Sequence, residues 1–299
     1  MNGQEQLDNN RMSFLGGAFK SVRRFNHYPV IPILIILVLL VIPAIFADLL
    51  APHESRAGGL GDRLIPPMWL EGGSSEYILG TDRVGRDIFS RIIHGSRISL
   101  VISLIGIASG GILGTGLGLI AGYVGGWADA VIMRLVDIGL ALPSIIFALA
   151  LGVLMGPSFA TVIIVVTYVL WAYYCRQIRG EVLRVKSRDF IARAKVSGAS
   201  DFRIIRKHVF PNVTNTLIVL ATLQVGFVIV LEATLSFLGV GIPRPTPAWG
   251  LMVADGREYI TSAWWIAMFP GLAIMLTVLA LNLLGDSIRD RLDPTLRQV

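Results

Sequence analysis

The sequence predicts an all-α integral membrane protein with six transmembrane helices, and three observations carry that prediction. Mean hydropathy is +0.69, and only 15% of the 299 residues are charged against 54% hydrophobic, whereas about a quarter of the residues in a soluble domain are charged. Apolar stretches long enough to cross a hydrocarbon core of roughly 30 Å recur along the chain. Between them, basic and charge-balanced segments alternate in the way that orients membrane spans. The net charge of +6 divides into +8 on the side that the positive-inside rule makes cytoplasmic and −2 on the other.

Residues 1–29 carry Arg11, Lys20, Arg23 and Arg24 against Glu5 and Asp8, which predicts a cytoplasmic tail. Val30 to Leu50 is long and apolar enough for the first span. A cleaved signal peptide competes with that reading, but no small-x-small site follows promptly. Residues 51–97 hold six arginines balanced by six acids, as suits an extracytoplasmic segment. Its stretch LGTDRVGRDIFSRIIHGSRISL, Leu79 to Leu100, reads as a capped amphipathic helix lying at the interface.

A five-helix core is expected over 98–285. Ile98 to Trp127 is uncharged and places Gly106, Gly110, Gly114, Gly118 and Gly122 at four-residue intervals. On a helix these line one smooth face for close packing against another helix, in this chain or in a second one. Asp129, Arg134 and Asp137 mark a short cytoplasmic turn. The next 38 residues, Ile138 to Cys175, are uncharged and suffice for two short spans, with a turn at Gly156 and Pro157 and a kink at Pro143.

From Arg176 to His208 ten basic residues face three acids, which fixes this segment, 176–215 with its flanks, as cytoplasmic. It reads as two short helices broken at Gly198, with Ser200 capping the second and Asp201 at its positive end. The second helix, Asp201 to Val209, is expected to stop before Pro211, with Ile204, Ile205 and His208 on one side and Arg203, Arg206 and Lys207 around the rest. Such a helix can press into a groove on another protein; it can also be a basic loop that only orients the spans. Thr216 to Gly239 and Tyr259 to Gly285 supply the last two spans, and residues 286–299 return to the cytoplasm as a tail. Glu232 is the one ionisable residue inside a span, so it is a candidate gate or pathway residue, or else a structurally paired acid.

Catalysis is not expected of this chain. His27, His53, His94 and His208 are scattered without metal-ligand spacing, Cys175 stands alone, and neither a GxxxxGK[ST] loop nor a G-x-S-x-G elbow occurs. The sequence thus offers no catalytic residue, no metal site and no bound cofactor. Its basic charge is topological, so lipid rather than nucleic acid is the partner it implies.

The break Gly198, Ala199, Ser200, Asp201, continuing through Phe202 and Arg203 to His208, Val209, Phe210, Pro211, Asn212, resembles the cytoplasmic coupling segment, or EAA loop, of ABC-importer permeases. One departure stands out: Ala192 occupies the place of the acidic residue that usually opens that motif. The outer stretch Leu79 to Leu100, EATLSFLGVGIPRPTPAWGLMVADGREYI from Glu232, and FPGLAIMLTVLALNLLGDSIRDRLDP from Phe269 resemble the dipeptide/oligopeptide/nickel branch, so the likeness spans roughly residues 25 to 295. It implies a type I importer permease fold with a cytoplasmic coupling helix, both termini cytoplasmic, in the cytoplasmic (inner) membrane. It also implies a second homologous permease subunit, an extracytoplasmic solute-binding protein, and two ABC ATPase subunits that bind ATP and Mg. The implied cargo is a dipeptide, an oligopeptide or a related solute such as a nickel complex. The competing class is a secondary transporter or channel that works through Glu232 without ATPases.

Overall fold

The computed structural model describes residues 29–292. All of the expected N-terminal tail but Pro29, and the last seven residues of the expected C-terminal tail, lie outside the described residues. Among those described, no strand forms beyond an isolated bridge between Thr81 and Asp87. The helices are α1 (Val30–Leu50), α2 (Ile88–Val124), α3 (Gly126–Ala141), α4 (Ser144–Met155), α5 (Phe159–Lys186), α6 (Asp189–Val196), α7 (Asp201–Phe237), α8 (Trp249–Gly256) and α9 (Trp265–Leu292). Five of them, α1, α2, α5, α7 and α9, are long and apolar enough to cross a membrane; α3 and α4, bent by 83° at the break between them, supply a sixth if the pair counts as one span.

The hub is α2 packed along α5. Asp87 starts α2 by accepting from the backbone N–H groups of Phe89 and Ser90 at 3.3 and 2.9 Å, and Gly125 ends it at φ +74°, a backbone that glycine alone adopts cheaply. The glycine face of α2 meets α5 of the same chain. A methyl group on Gly110 would lie 2.6 Å from Leu170 Cβ, and one on Gly118 would lie 2.8 Å from the Cys175 carbonyl oxygen. Gly106, Gly114 and Gly122 are likewise pressed on Val166, Trp171 and Val182, so the two backbones touch and dispersion contacts replace side chains as the adhesive.

Prolines set the bends. In α1 the turn Leu37–Val41 widens to π-helical form just before Pro43, because Pro43 has no N–H to return to the preceding turn and its ring needs room there. Pro143 goes further than the expected kink: it separates α3 from α4 altogether. Gly156, at φ +77°, then makes the turn into α5.

Four expectations need correcting. Asp129, Arg134 and Asp137, expected to mark a short turn, all lie within the 16-residue helix α3. No separate amphipathic helix lies between residues 51 and 97; its residues from Ile88 onward are the first turns of α2, and Ser90, Arg91, Ser96 and Ser99 are buried there. The helix at Asp201 does not stop before Pro211. It passes through a π turn, Ile205–Val209, that accommodates the proline as the one before Pro43 does, and runs on unbroken to Phe237. The first residues of the expected C-terminal tail also stay helical, as the end of α9.

Candidate functional site

The segment between α5 and α7 is built from caps. Asp189 opens α6 while Arg193 and Lys195 close it, an arrangement that matches the helix dipole at both ends. Past Ser197 the chain reverses on Gly198, at φ +78°. There Ala199 N–H returns to the Ala194 carbonyl at 3.1 Å and Gly198 N–H to that of Lys195 at 3.0 Å, the paired bonds of a Schellman ending. Ser200 then caps α7, its hydroxyl accepting from Arg203 N–H at 3.4 Å, and Asp201 stands at the positive end.

Burial divides the segment in a way the sequence did not reveal. Ile204 is 0% exposed, Ile191 and Val209 are buried with it, and Ala199 and Ile205 pack on the same core. His208 faces the Phe190 ring, with centroids 6.2 Å apart. The side of Ile204, Ile205 and His208, expected to face a partner, therefore anchors the segment to its own bundle. Outward point Val196, 91% exposed, and Phe202, 73% exposed, together with Arg203, Arg206 and Lys207. Ala192 and Pro211 are exposed as well, so the departure at Ala192 leaves no buried partner behind. Tyr123, at the far end of α2, donates from its phenol to Asp201 Oδ1 at 2.7 Å. Sequence reading passed over it, since nothing local links a residue in the GYVGG turn to one so far along the chain.

The opposite end of α2 holds a buried ion network. Asp82 accepts from Val84 and Arg86 N–H groups at 2.9 and 3.0 Å and from Arg86 Nε at 2.7 Å, and Arg91 Nε lies 3.8 Å from it. Arg91 also donates to the Ser55 and Pro245 carbonyls at 2.9 and 3.3 Å. Asp255 of α8 accepts from Arg244 at 2.9 and 2.5 Å and sits 3.8 Å from Arg86. Beside the network, Trp249 is fully buried, donates to the Ile92 carbonyl at 2.9 Å and fits only because residue 95 is glycine. Four of the charges counted in the balanced outer segment, Asp82, Arg86, Asp87 and Arg91, are thus the interior of a cap that joins residues 51–87, α2, α8 and the Pro-rich loop before α8, while Glu54, Arg56, Arg63, Glu71 and Glu76 stay exposed.

Glu232 lies fully buried in α7. Its Oε1 accepts from Ser236 Oγ at 2.7 Å, and that hydroxyl accepts from Ile242 N–H at 3.2 Å. Oε2 has no hydrogen-bond partner among the described residues. Together these bonds pin the turn that follows α7.

Comparison with known proteins places this architecture. Residues 114–298 match the family described as binding-protein-dependent transport system inner membrane component. Similar curated proteins include a di/tripeptide transport system permease protein, DppC, of Pseudomonas aeruginosa (strain UCBPP-PA14), 43% identical over 264 residues that make up 88% of this chain and 87% of that protein. The probable D,D-dipeptide permease DdpC of Escherichia coli (strain K12) is 42% identical over 84% of this chain and 82% of its own length. The glutathione permease GsiD of Pectobacterium atrosepticum is 42% identical over 85% of this chain and 83% of its own. With likeness at that level over most of its length and an all-helical, multi-pass bundle, the chain belongs to the binding-protein-dependent transport system inner membrane component family, the membrane-spanning permease subunits of ABC importers.

Proposed function

We propose that this permease carries dipeptides and short oligopeptides across the cytoplasmic membrane, with both termini on the cytoplasmic side. A solute-binding protein delivers them from outside, and two ABC ATPase subunits, which hold ATP and Mg, drive the cycle. A second, homologous permease completes the pathway, which runs between the two. The observation that carries this reading is the company the chain keeps: relatives 42–43% identical over most of its length bear the names of di/tripeptide, D,D-dipeptide and glutathione permeases, and glutathione is itself a tripeptide. Membership of the family displaces the alternative of a transporter or channel that works without ATPases.

In this reading the turn from Gly198 to Asp201 shapes the coupling element, and Val196, Phe202 and Arg203 are the surface that an ATPase subunit grips. Ile204, Ile205 and His208 hold that surface on the bundle, and Pro211 lies just past the π turn at which α7 continues into the bundle. Closure of the ATPase pair on ATP shifts the permease halves between outward- and inward-open states, a two-state equilibrium biased from both membrane faces. Gentle detergent extraction of the chain from its native membrane, followed by mass spectrometry, is expected to recover a Walker-motif ATPase and a second permease. ATP-dependent uptake of a radiolabelled dipeptide by proteoliposomes made from that preparation, with the binding protein added, is the functional readout. Recovery of the intact chain alone, or uptake indifferent to ATP, overturns the reading.

A further inference from the structure

Tyr123 is the penultimate residue of α2 and only 5% exposed, although it stands where the bundle ends. Three other elements converge on it. Its phenol donates to Asp201 Oδ1 at the start of α7. Lys186, the last residue of α5, donates from Nζ to the Tyr123 carbonyl at 2.6 Å, and the same ammonium lies 5.5 Å from the ring centroid. Lys195 of α6 lies 5.8 Å from that centroid.

Each contact meets a need of the elements it joins. Lys186 satisfies a carbonyl in the last turn of α2 that has no partner within the helix, and sets a cation at the negative end of its dipole. The Asp201 carboxylate stands at the start of α7 and accepts from the phenol at 2.7 Å, and a hydrogen bond to a carboxylate is of the stronger kind. The two ammonium groups near the ring add cation–π attraction and hold the phenol in place.

We infer that Tyr123 is a positioning residue that locks the turn between α6 and α7 to the end of α2. The inference rests on the reading above that this turn is driven by ATPase subunits. Without the tie, a push on the exposed Phe202 would be absorbed where α7 is weakest, at the π turn Ile205–Val209 that follows within one turn of helix. With it, Asp201 cannot leave α2 without breaking a charge-assisted bond. The displacement therefore passes to α2, and through the glycine-lined contact to α5.

The test uses the whole assembly, reconstituted in proteoliposomes with its binding protein, and reads dipeptide uptake and ATP hydrolysis together. Tyr123→Phe keeps the ring, both ammonium contacts and the backbone carbonyl, and removes only the phenol hydrogen bond. Uptake per ATP hydrolysed is expected to fall about tenfold or more, the order set by losing one hydrogen bond to a charged group, while the ATPase subunits stay bound. Asp201→Ala, at an exposed position, is expected to give the same fall, and the double variant no larger a fall than either single one. A wild-type ratio in Tyr123→Phe, or a double variant that multiplies the two losses, overturns the inference. Should Tyr123→Phe fail to assemble, Asp201→Ala decides alone: a reduced ratio with ATPases retained supports the lock, and a wild-type ratio or loss of the ATPases overturns it. A wild-type assembly that takes up peptide without hydrolysing ATP would instead strike the proposed function, so the two failures are told apart.

Discussion

At Gly118 a single methyl group would have to share space with the Cys175 carbonyl oxygen and Ile178 Cβ, whereas at Gly116, two residues earlier, a Cβ would meet nothing within 4 Å. The same helix therefore holds its own control. Gly118→Leu should separate α2 from α5 and sharply reduce the amount of protein in the membrane, since overpacking alone costs about 1–3 kcal/mol and backbone contact leaves no side chain to yield. Gly116→Leu should leave abundance unchanged by immunoblot of membranes, and equal abundance of the two would refute the packing argument. Glu232 supports a different prediction. Glutamine keeps the oxygen that Ser236 Oγ donates to, so Glu232→Gln should preserve the turn after α7 and leave dipeptide uptake and its pH dependence as in the wild type. A variant that assembles normally but loses uptake or changes its pH profile would show the acid to be part of the pathway.

On the scale of elements, the coupling segment shows what the sequence could and could not reveal. The break at Gly198, the Ser200 cap and the glycine face of α2 were legible because each depends on local chemistry: a positive φ, a hydroxyl beside an open helix end, a four-residue spacing. The continuation of α7 past Pro211 was not, because a proline ordinarily ends a helix and only a π turn lets it stay. Nor was the direction of the apolar side. Periodicity places Ile204 and Ile205 together, but whether they face a partner or their own bundle depends on Ile191, Val209 and the core they join. The loop-end network escaped for a related reason, since Arg91, Pro245 and Asp255 meet only once the chain has folded back. The corrected orientation separates two substitutions. Phe202→Asp, at an exposed site, should leave membrane abundance and helicity intact and lower ATP-dependent uptake at least tenfold. Ile204→Asp buries an unpaired charge and should deplete the protein itself. Wild-type uptake in Phe202→Asp at normal abundance would remove this side chain from the proposed contact with an ATPase subunit.

Seen whole, the molecule is strung on α2, whose 37 residues make a rod about 55 Å long at 1.5 Å per residue. One end is fixed by the Asp82, Arg86, Arg91 and Asp255 network, the other by the Tyr123 contacts, and the glycine contact with α5 lies between. A rod clamped at both ends moves as a unit, which suits a subunit that must connect events on opposite faces of a membrane. The network earns that role only if it is stiffer than an ordinary surface pair, and the chain supplies the comparison. Asp255 is 4% exposed and surrounded by Arg86 and Arg244, whereas Asp48, paired with Arg97 at 3.0 Å, is 76% exposed. Removing Asp255 leaves the buried Arg86 and Arg91 to share Asp82 alone, and a desolvated charge left without its partner costs up to roughly 3–5 kcal/mol. Breaking an exposed pair costs about 1 kcal/mol or less. Asp255→Ala should therefore lower the thermal unfolding midpoint of the detergent-purified permease far more than Asp48→Ala, as read by scanning fluorimetry on its tryptophans. Equal shifts would mean that water reaches the network, and α2 would then be anchored only at its Tyr123 end.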